Sequence, residues 1–207
     1  MRIERAAIDD PGLGERADAV LAASGCIVVP TDTVYGIATR AGDRAGVARL
    51  QAIKGRSDAF PPPVLVADPD QAWSLVSAAP PAARRLAAAF WPGALTLVLA
   101  TPRDDLSLSG AVGTVGLRVP DHAGLRALLR RTGPLATSSA NKHNRAPATT
   151  VEEAIDQLGD AVGLYIDGGP IPGPAPSSVV DCTSDGIAVL RAGLLTEADL
   201  RAVAGGA

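Results

Sequence analysis

Cys26-Ile27-Val28-Val29, followed at once by Pro30-Thr31-Asp32-Thr33-Val34-Tyr35-Gly36, sets an apolar run of strand length directly against a polar loop. A short continuous apolar run closed by proline reads as a strand buried on both faces. Upstream, Arg16 to Ser24 place Ala17, Val20, Leu21 and Ser24 at helical spacing, with Gly25 as a C-cap. Downstream, Asp43 caps a helix whose inner face is Val47, Leu50 and Ile53, and Gly55 stops it. Helix, buried strand, polar loop and helix in succession announce an α/β fold.

The rhythm continues to the end of the chain. Pro63–Ala67, Leu95–Leu99, Val115–Val119, Leu135–Thr137, Leu164–Asp167, Ser178–Asp181 and Ile187–Arg191 read as strands. Pro81–Phe90 and Ala123–Arg131 read as helices, the second closed by Gly133. Thr150 with Glu153 forms a capping box for a helix reaching Leu158, and Thr196 with Asp199 opens the last helix. Several strands follow one another without a crossover helix, so the sheet is expected to be mixed. With no repeat and no linker, residues 1–207 are expected to form one domain.

Composition narrows the function classes. Cys26 and Cys182 are too few for a disulfide framework and lack zinc-site spacing, so both read as core fillers in a reducing compartment. No run is long enough for a signal peptide or a membrane span, which points to the cytoplasm and away from membranes. A net charge of -3 argues against coating nucleic acid by charge alone. The only lysines are Lys54 and Lys142, against a large excess of arginine.

Four polar segments interrupt the apolar framework. Thr31, Asp32 and Thr33 offer donors and acceptors to a small ligand, or form a local turn with Tyr35 packed inward; spacing alone does not separate these. Lys54-Gly55-Arg56 is a cation pair suited to polyphosphate or carboxylate, or a favourable helix C-terminus. Thr137-Ser138-Ser139-Ala140-Asn141 can cradle phosphate oxygens, and Gly168 to Ser178 is a glycine–proline loop. Arg118 interrupts an apolar strand, and it either belongs with these loops or simply faces solvent on one side of the strand. No GxxxxGK[ST] loop, GxGxxG fingerprint, nucleophile triad or metal motif is present, and neither His122 nor His143 is tied to a nucleophile. Cations, small hydroxyls and glycines suit charge stabilisation and positioning, as in phosphoryl or nucleotidyl transfer, better than covalent catalysis.

The runs PTDTVYG, KGR, FWPGALTLVL, GLRVPDH, SSAN and the terminal LRAG, in this order from about Gly25 to Gly193, resemble the YrdC/TsaC family of threonylcarbamoyl-AMP synthases. The resemblance implies a twisted α/β sheet with flanking helices and a concave cationic cavity. It also implies synthesis of threonylcarbamoyl-AMP from L-threonine, bicarbonate and ATP, with Mg²⁺ held chiefly by phosphates and water. A downstream tRNA threonylcarbamoyl transferase would use the product; contact with tRNA itself is expected to be weak because of the net charge of -3 and the shortage of lysine. By motif, Lys54 and Arg56 are the expected catalytic, ATP-binding cations, joined by Ser139 and Asn141. Thr33, Tyr35 and Arg118 are expected on the threonine side and in the cavity, with Ser178 as a further substrate-binding residue near the loop that closes over the nucleotide, and no protein ligand to a metal is expected.

Departures from the family pattern are Ser57 and Pro61-Pro62-Pro63 after KGR, Val64-Leu65-Val66 where some members carry a histidine, and Asn144-Arg145 after SSAN. Ser178 stands where threonine is usual in the family's Ser-Thr-Val run. The alternative class is an RNA-binding module of this fold, or a divergent nucleotide-binding paralogue.

Overall fold

A computed structural model describes residues 3–55, 62–106, 113–171, 175–184 and 186–205. Its strands are β1 (Arg5–Ala7), β2 (Ile27–Val29), β3 (Gly36–Arg40), β4 (Val64–Leu65), β5 (Leu95–Ala100), β6 (Thr114–Arg118), β7 (Leu135–Ser139), β8 (Leu164–Asp167), β9 (Ser178–Asp181) and β10 (Ala188–Arg191). Its helices are α1 (Leu13–Ala22), α2 (Arg44–Lys54), α3 (Pro69–Trp73), α4 (Pro81–Phe90), α5 (Ala123–Thr132), α6 (Val151–Leu158) and α7 (Glu197–Gly205), with a 3-10 turn at Gly159–Ala161.

The strands form one ten-stranded sheet in the order β1-β8-β2-β3-β7-β4-β6-β5-β9-β10. It is mixed, as expected: β2 runs parallel to β8 and antiparallel to β3, and β5 runs parallel to β9 and antiparallel to β6. Local signals explain many boundaries. The Asp43 carboxylate accepts from the Ala45 and Gly46 N–H groups at the start of α2, and Gly55, at φ 68°, ends it in the left-handed region. Thr196 and Asp199 cap α7 reciprocally.

Three expectations need correction. Helix α1 starts at Leu13, where Gly12 supplies no side-chain cap, and it ends before Ser24, which takes the left-handed conformation (φ 53°) instead of Gly25. The strand expected at Leu135–Thr137 runs on through Ser138 and Ser139, because β3 pairs with every residue of it. Thr150 caps α6, but the Glu153 carboxylate turns back to the Thr149 N–H and hydroxyl, one residue earlier than a capping box requires. The strands β1 and β3 and the short helix α3 have no counterpart in the sequence reading.

The sheet's two faces are covered unequally, and this creates the site. On one face, Val64, Leu117 and Ala136 pack with Leu86, Trp91 and Leu200, while Val28 and Ile37 pack with Leu50, Val151 and Leu158. On the other face, Ile27, Val29, Ala38, Leu65 and Leu135 pack under α1 and α5, against Ala17, Leu21, Leu125 and Leu129. Each fully buried leucine or isoleucine contributes about 1.5–3 kcal/mol. No described residue of β5, β6 or β9 joins the cluster beneath α1 and α5. Residues alternating with the core leucines and valines of β5 and β6 therefore lie on the face that this cluster does not cover, where Val98, Thr114 and Gly116 are half-buried and Thr96 and Arg118 are buried by other parts of the chain. Burial pushes the Cys26 thiol up to about 12 and the Cys182 thiol up to about 11, as suits core fillers. No helix of the described residues is long and apolar enough to cross a membrane.

Candidate functional site

The loop between β2 and β3 folds over this part of the sheet, and Arg118 holds it there. From β6, Arg118 donates through Nη2 to Asp32 Oδ1 (2.7 Å), through Nη1 to Thr33 Oγ1 (3.1 Å) and through Nε to Gly93 O (3.0 Å). Its side chain is 8% exposed and that of Asp32 is 15%, so this is a buried strut and not a solvent-facing arginine. Burial pulls its pKa down, the Asp32 carboxylate opposes that shift, and the charge of Arg191 adds to it.

Arg191, at the end of β10, is the second cation of this region. It donates through Nε to Ser177 O (3.0 Å) and through Nη2 to Ser177 Oγ (3.1 Å), and Ser177 Oγ lies 3.3 Å from Thr96 Oγ1. The residue as a whole is exposed, but its guanidinium end is partly desolvated and burial lowers its pKa. Gly193 fits behind it because any Cβ there would collide with the backbone of Pro176, Ser177 and Ser178. Burial lowers the pKa of both guanidinium groups, as for cations held away from bulk water.

A third cation, Lys54, stands at the C-terminal end of α2. Lys54 is 2% exposed. Its ammonium donates to Ser139 O (2.6 Å), Asn141 O (3.1 Å), Asn141 Oδ1 (3.3 Å) and Ser139 Oγ (3.4 Å). The Asn141 amide in turn donates to Lys142 O and Arg145 O, which fixes the loop after β7. The sequence-expected trio Lys54, Ser139 and Asn141 is thus one hydrogen-bonded unit. Arg56 lies outside the described residues.

The remaining expected residues are placed differently. Ser178 is fully buried; its hydroxyl donates to Leu195 O and accepts from the Gly193 and Leu195 N–H groups, so it ties β9 to the chain beyond β10. Its neighbour Ser177, not singled out from the sequence, is the serine beside Arg191. Tyr35 is also fully buried, donating to Gly169 O (2.7 Å) and accepting from Gly168 N (3.1 Å). Burial raises its pKa, and its hydroxyl is occupied in holding the Gly168 turn. His122, unassigned from the sequence, caps α5 by accepting from Leu125 N at Nδ1 (3.2 Å), and a Cβ on Gly168 would sit 3.1 Å from its Nε2. Burial lowers its pKa. The signal for Arg191 and Ser177 was present in the LRAG and Ser-Ser-Val runs, but their pairing crosses from β9 to β10. Among the described residues, no group of three His, Cys, Asp or Glu could hold a metal ion.

The Sua5/YciO/YrdC family model, whose description reads telomere recombination, matches residues 19–193. A Mycobacterium leprae protein, provisionally named a threonylcarbamoyl-AMP synthase, is 45% identical over 192 residues, covering 91% of this chain and 87% of its own length. Threonylcarbamoyl-AMP synthase of Bacillus subtilis is 36% identical over 200 residues, covering 95% of this chain and 58% of its own. The crystal structure of Pyrococcus abyssi Sua5 complexed with L-threonine superposes with a TM-score of 0.82 at 30% identity, covering 93% of this chain and 58% of that one. The chain therefore spans most of the mycobacterial relative but well under two thirds of the other two.

Proposed function

This chain belongs to the Sua5/YciO/YrdC family, and on that footing we propose that it is a threonylcarbamoyl-AMP synthase, a cytoplasmic nucleotidyltransferase acting on L-threonine, bicarbonate and ATP. The observation that supports the reading is that the motif residues Lys54, Ser139 and Asn141 form one hydrogen-bonded unit, while Arg118 and Arg191 are held as partly desolvated cations beside Thr33 and Ser177. The reaction brings together several negative charges. The threonine nitrogen bonds to the carbon of bicarbonate with loss of water; a carbamate oxygen then attacks the α-phosphorus and pyrophosphate leaves. Fixed, desolvated cations stabilise such charge more than water does, because they need no reorganisation.

In this assignment Lys54, Arg56, Ser139 and Asn141 hold the triphosphate, and Arg191 with Ser177 extends the anion-binding surface. Thr33 and Arg118 take the amino acid. Ser178 and Tyr35 become supports, one for the β9–β10 junction and one for the Gly168 turn. Mg²⁺ enters with ATP, bound by phosphates and water. The 207 residues act as a single catalytic module that passes its product to a tRNA-modifying transferase. The test is release of pyrophosphate by the purified chain with ATP and Mg²⁺, with and without L-threonine and bicarbonate. Release that needs both co-substrates supports the reading; none, under conditions where the Bacillus subtilis enzyme turns over, removes it.

A further inference from the structure

The four carbonyls that end α2 all have partners, and two of them are met from outside the helix. The Gly55 N–H, in the left-handed cap, points at Gln51 O and Ala52 O. Ile53 O accepts from the Lys142 ammonium (3.0 Å), and Lys54 O accepts from the His143 N–H (3.0 Å). Carbonyls at a helix end have no partner within the helix, and the last turn frays unless another group supplies one. The turn fixed in this way is the one that carries Lys54.

The bracing runs in both directions. Lys54, on α2, donates to Ser139 and Asn141 at and beyond the end of β7. Lys142, one residue further on, donates back to α2. These two are the chain's only lysines. The loop that holds Lys142 is anchored to α6 as well, since Gln157 accepts from Lys142 N (3.1 Å) and donates to Ala146 O (3.0 Å). Asn141 closes the same loop from within by donating to Lys142 O and Arg145 O. Resting on the function proposed above, which gives the triphosphate to Lys54, we propose that Lys142 is a positioning residue for ATP binding. It fixes the last turn of α2, and with it Lys54, against the loop after β7. Its charge also offsets the negative pole of the helix, which would oppose a polyanion at Lys54. A group that binds charge is effective only where it is held, so loosening this turn weakens binding before it unfolds the protein.

Lys142 is otherwise solvent-exposed, so replacing it opens no cavity. Lys142→Met removes the ammonium and keeps most of the stem. Affinity for ATP, read by direct titration and as KM in pyrophosphate release, should weaken about tenfold, while kcat and the KM for L-threonine stay within about threefold. Lys142→Arg, which keeps a charged donor, should recover most of that loss. A merely structural role would lower Tm and the active fraction, and so kcat, with KM and the titrated affinity for ATP unchanged. That outcome overturns the proposal, as does equal weakening in the arginine variant. Should Lys142→Met not fold, Lys142→Gln takes its place and the same two results decide. Wild-type protein that neither binds ATP nor releases pyrophosphate would instead remove the proposed function, and this inference with it.

Discussion

Arg118→Lys keeps a positive charge on β6 but replaces a planar fork with a single ammonium. The arginine makes directed contacts to Asp32, Thr33 and Gly93, which lie on three sides of it. A lysine from the same Cα reaches one or two of these. Hydrogen bonds to a charged group contribute about 1.5–3 kcal/mol each, so the expected net loss is about 3 kcal/mol, near the lower end because water can enter beside Asp32. For a chain of this size that lowers Tm by about 6–12 °C. If Arg118 also steadies the amino-acid carboxylate in the transition state, kcat/KM for L-threonine falls about a hundredfold. ATP affinity, which the proposed assignment gives to Lys54, should stay within about threefold. Calorimetry, pyrophosphate release and direct ATP titration report the three quantities separately. A variant with wild-type Tm and wild-type kcat/KM would refute both the strut and the substrate role.

Other outcomes follow from the same contacts. Lys54→Met removes the ammonium while roughly keeping its volume, and kcat/KM for ATP should fall about a hundredfold in a protein that still folds by circular dichroism. Ser177→Ala should impair turnover with little change in Tm, whereas Ser178→Ala leaves the Gly193 and Leu195 N–H groups without their acceptor and should cost about 1–3 kcal/mol in denaturant titrations while sparing turnover of the folded fraction. Arg5 first, then the Gly169 N–H and Tyr35, hold the Asp167 carboxyl below its ordinary 3.8. A carboxyl depressed in the folded state contributes stability that is complete above the ordinary value and lost as pH falls through the folded one. Tm should therefore drop more steeply below pH 3.8 in wild type than in Asp167→Asn, and parallel curves would contradict this.

Elements with their own punctuation were legible in the sequence. Asp43 and Gly55 bracket α2, Pro81 opens α4 and Gly133 closes α5, each through a local backbone effect that needs no partner. Strand β3 was not legible because Gly36–Arg40 mixes glycine, threonine and arginine in an otherwise apolar strand, and only pairing with β2 and β7 makes it one. The same pairing draws Ser138 and Ser139 out of their expected loop. Lys54, Ser139 and Asn141 could be picked out by motif type, and the fold joins them by hydrogen bonds. Which serine of Ser177-Ser178 pairs with Arg191 could not, because Ser178 is taken by the Gly193 and Leu195 N–H groups from the far end of the chain. Tyr35 has the residue type of a ligand contact, and only the fold places its hydroxyl between Gly168 and Gly169.

The measurement closest to the central claim is mass spectrometry of the nucleotide products after incubating the protein with ATP, Mg²⁺, L-threonine and ¹³C-bicarbonate. A threonylcarbamoyl adenylate carrying the heavy carbon, formed in step with pyrophosphate and lost when either threonine or bicarbonate is left out, is the predicted result. ATP consumed without any adenylate that contains both threonine and the labelled carbon would contradict the account.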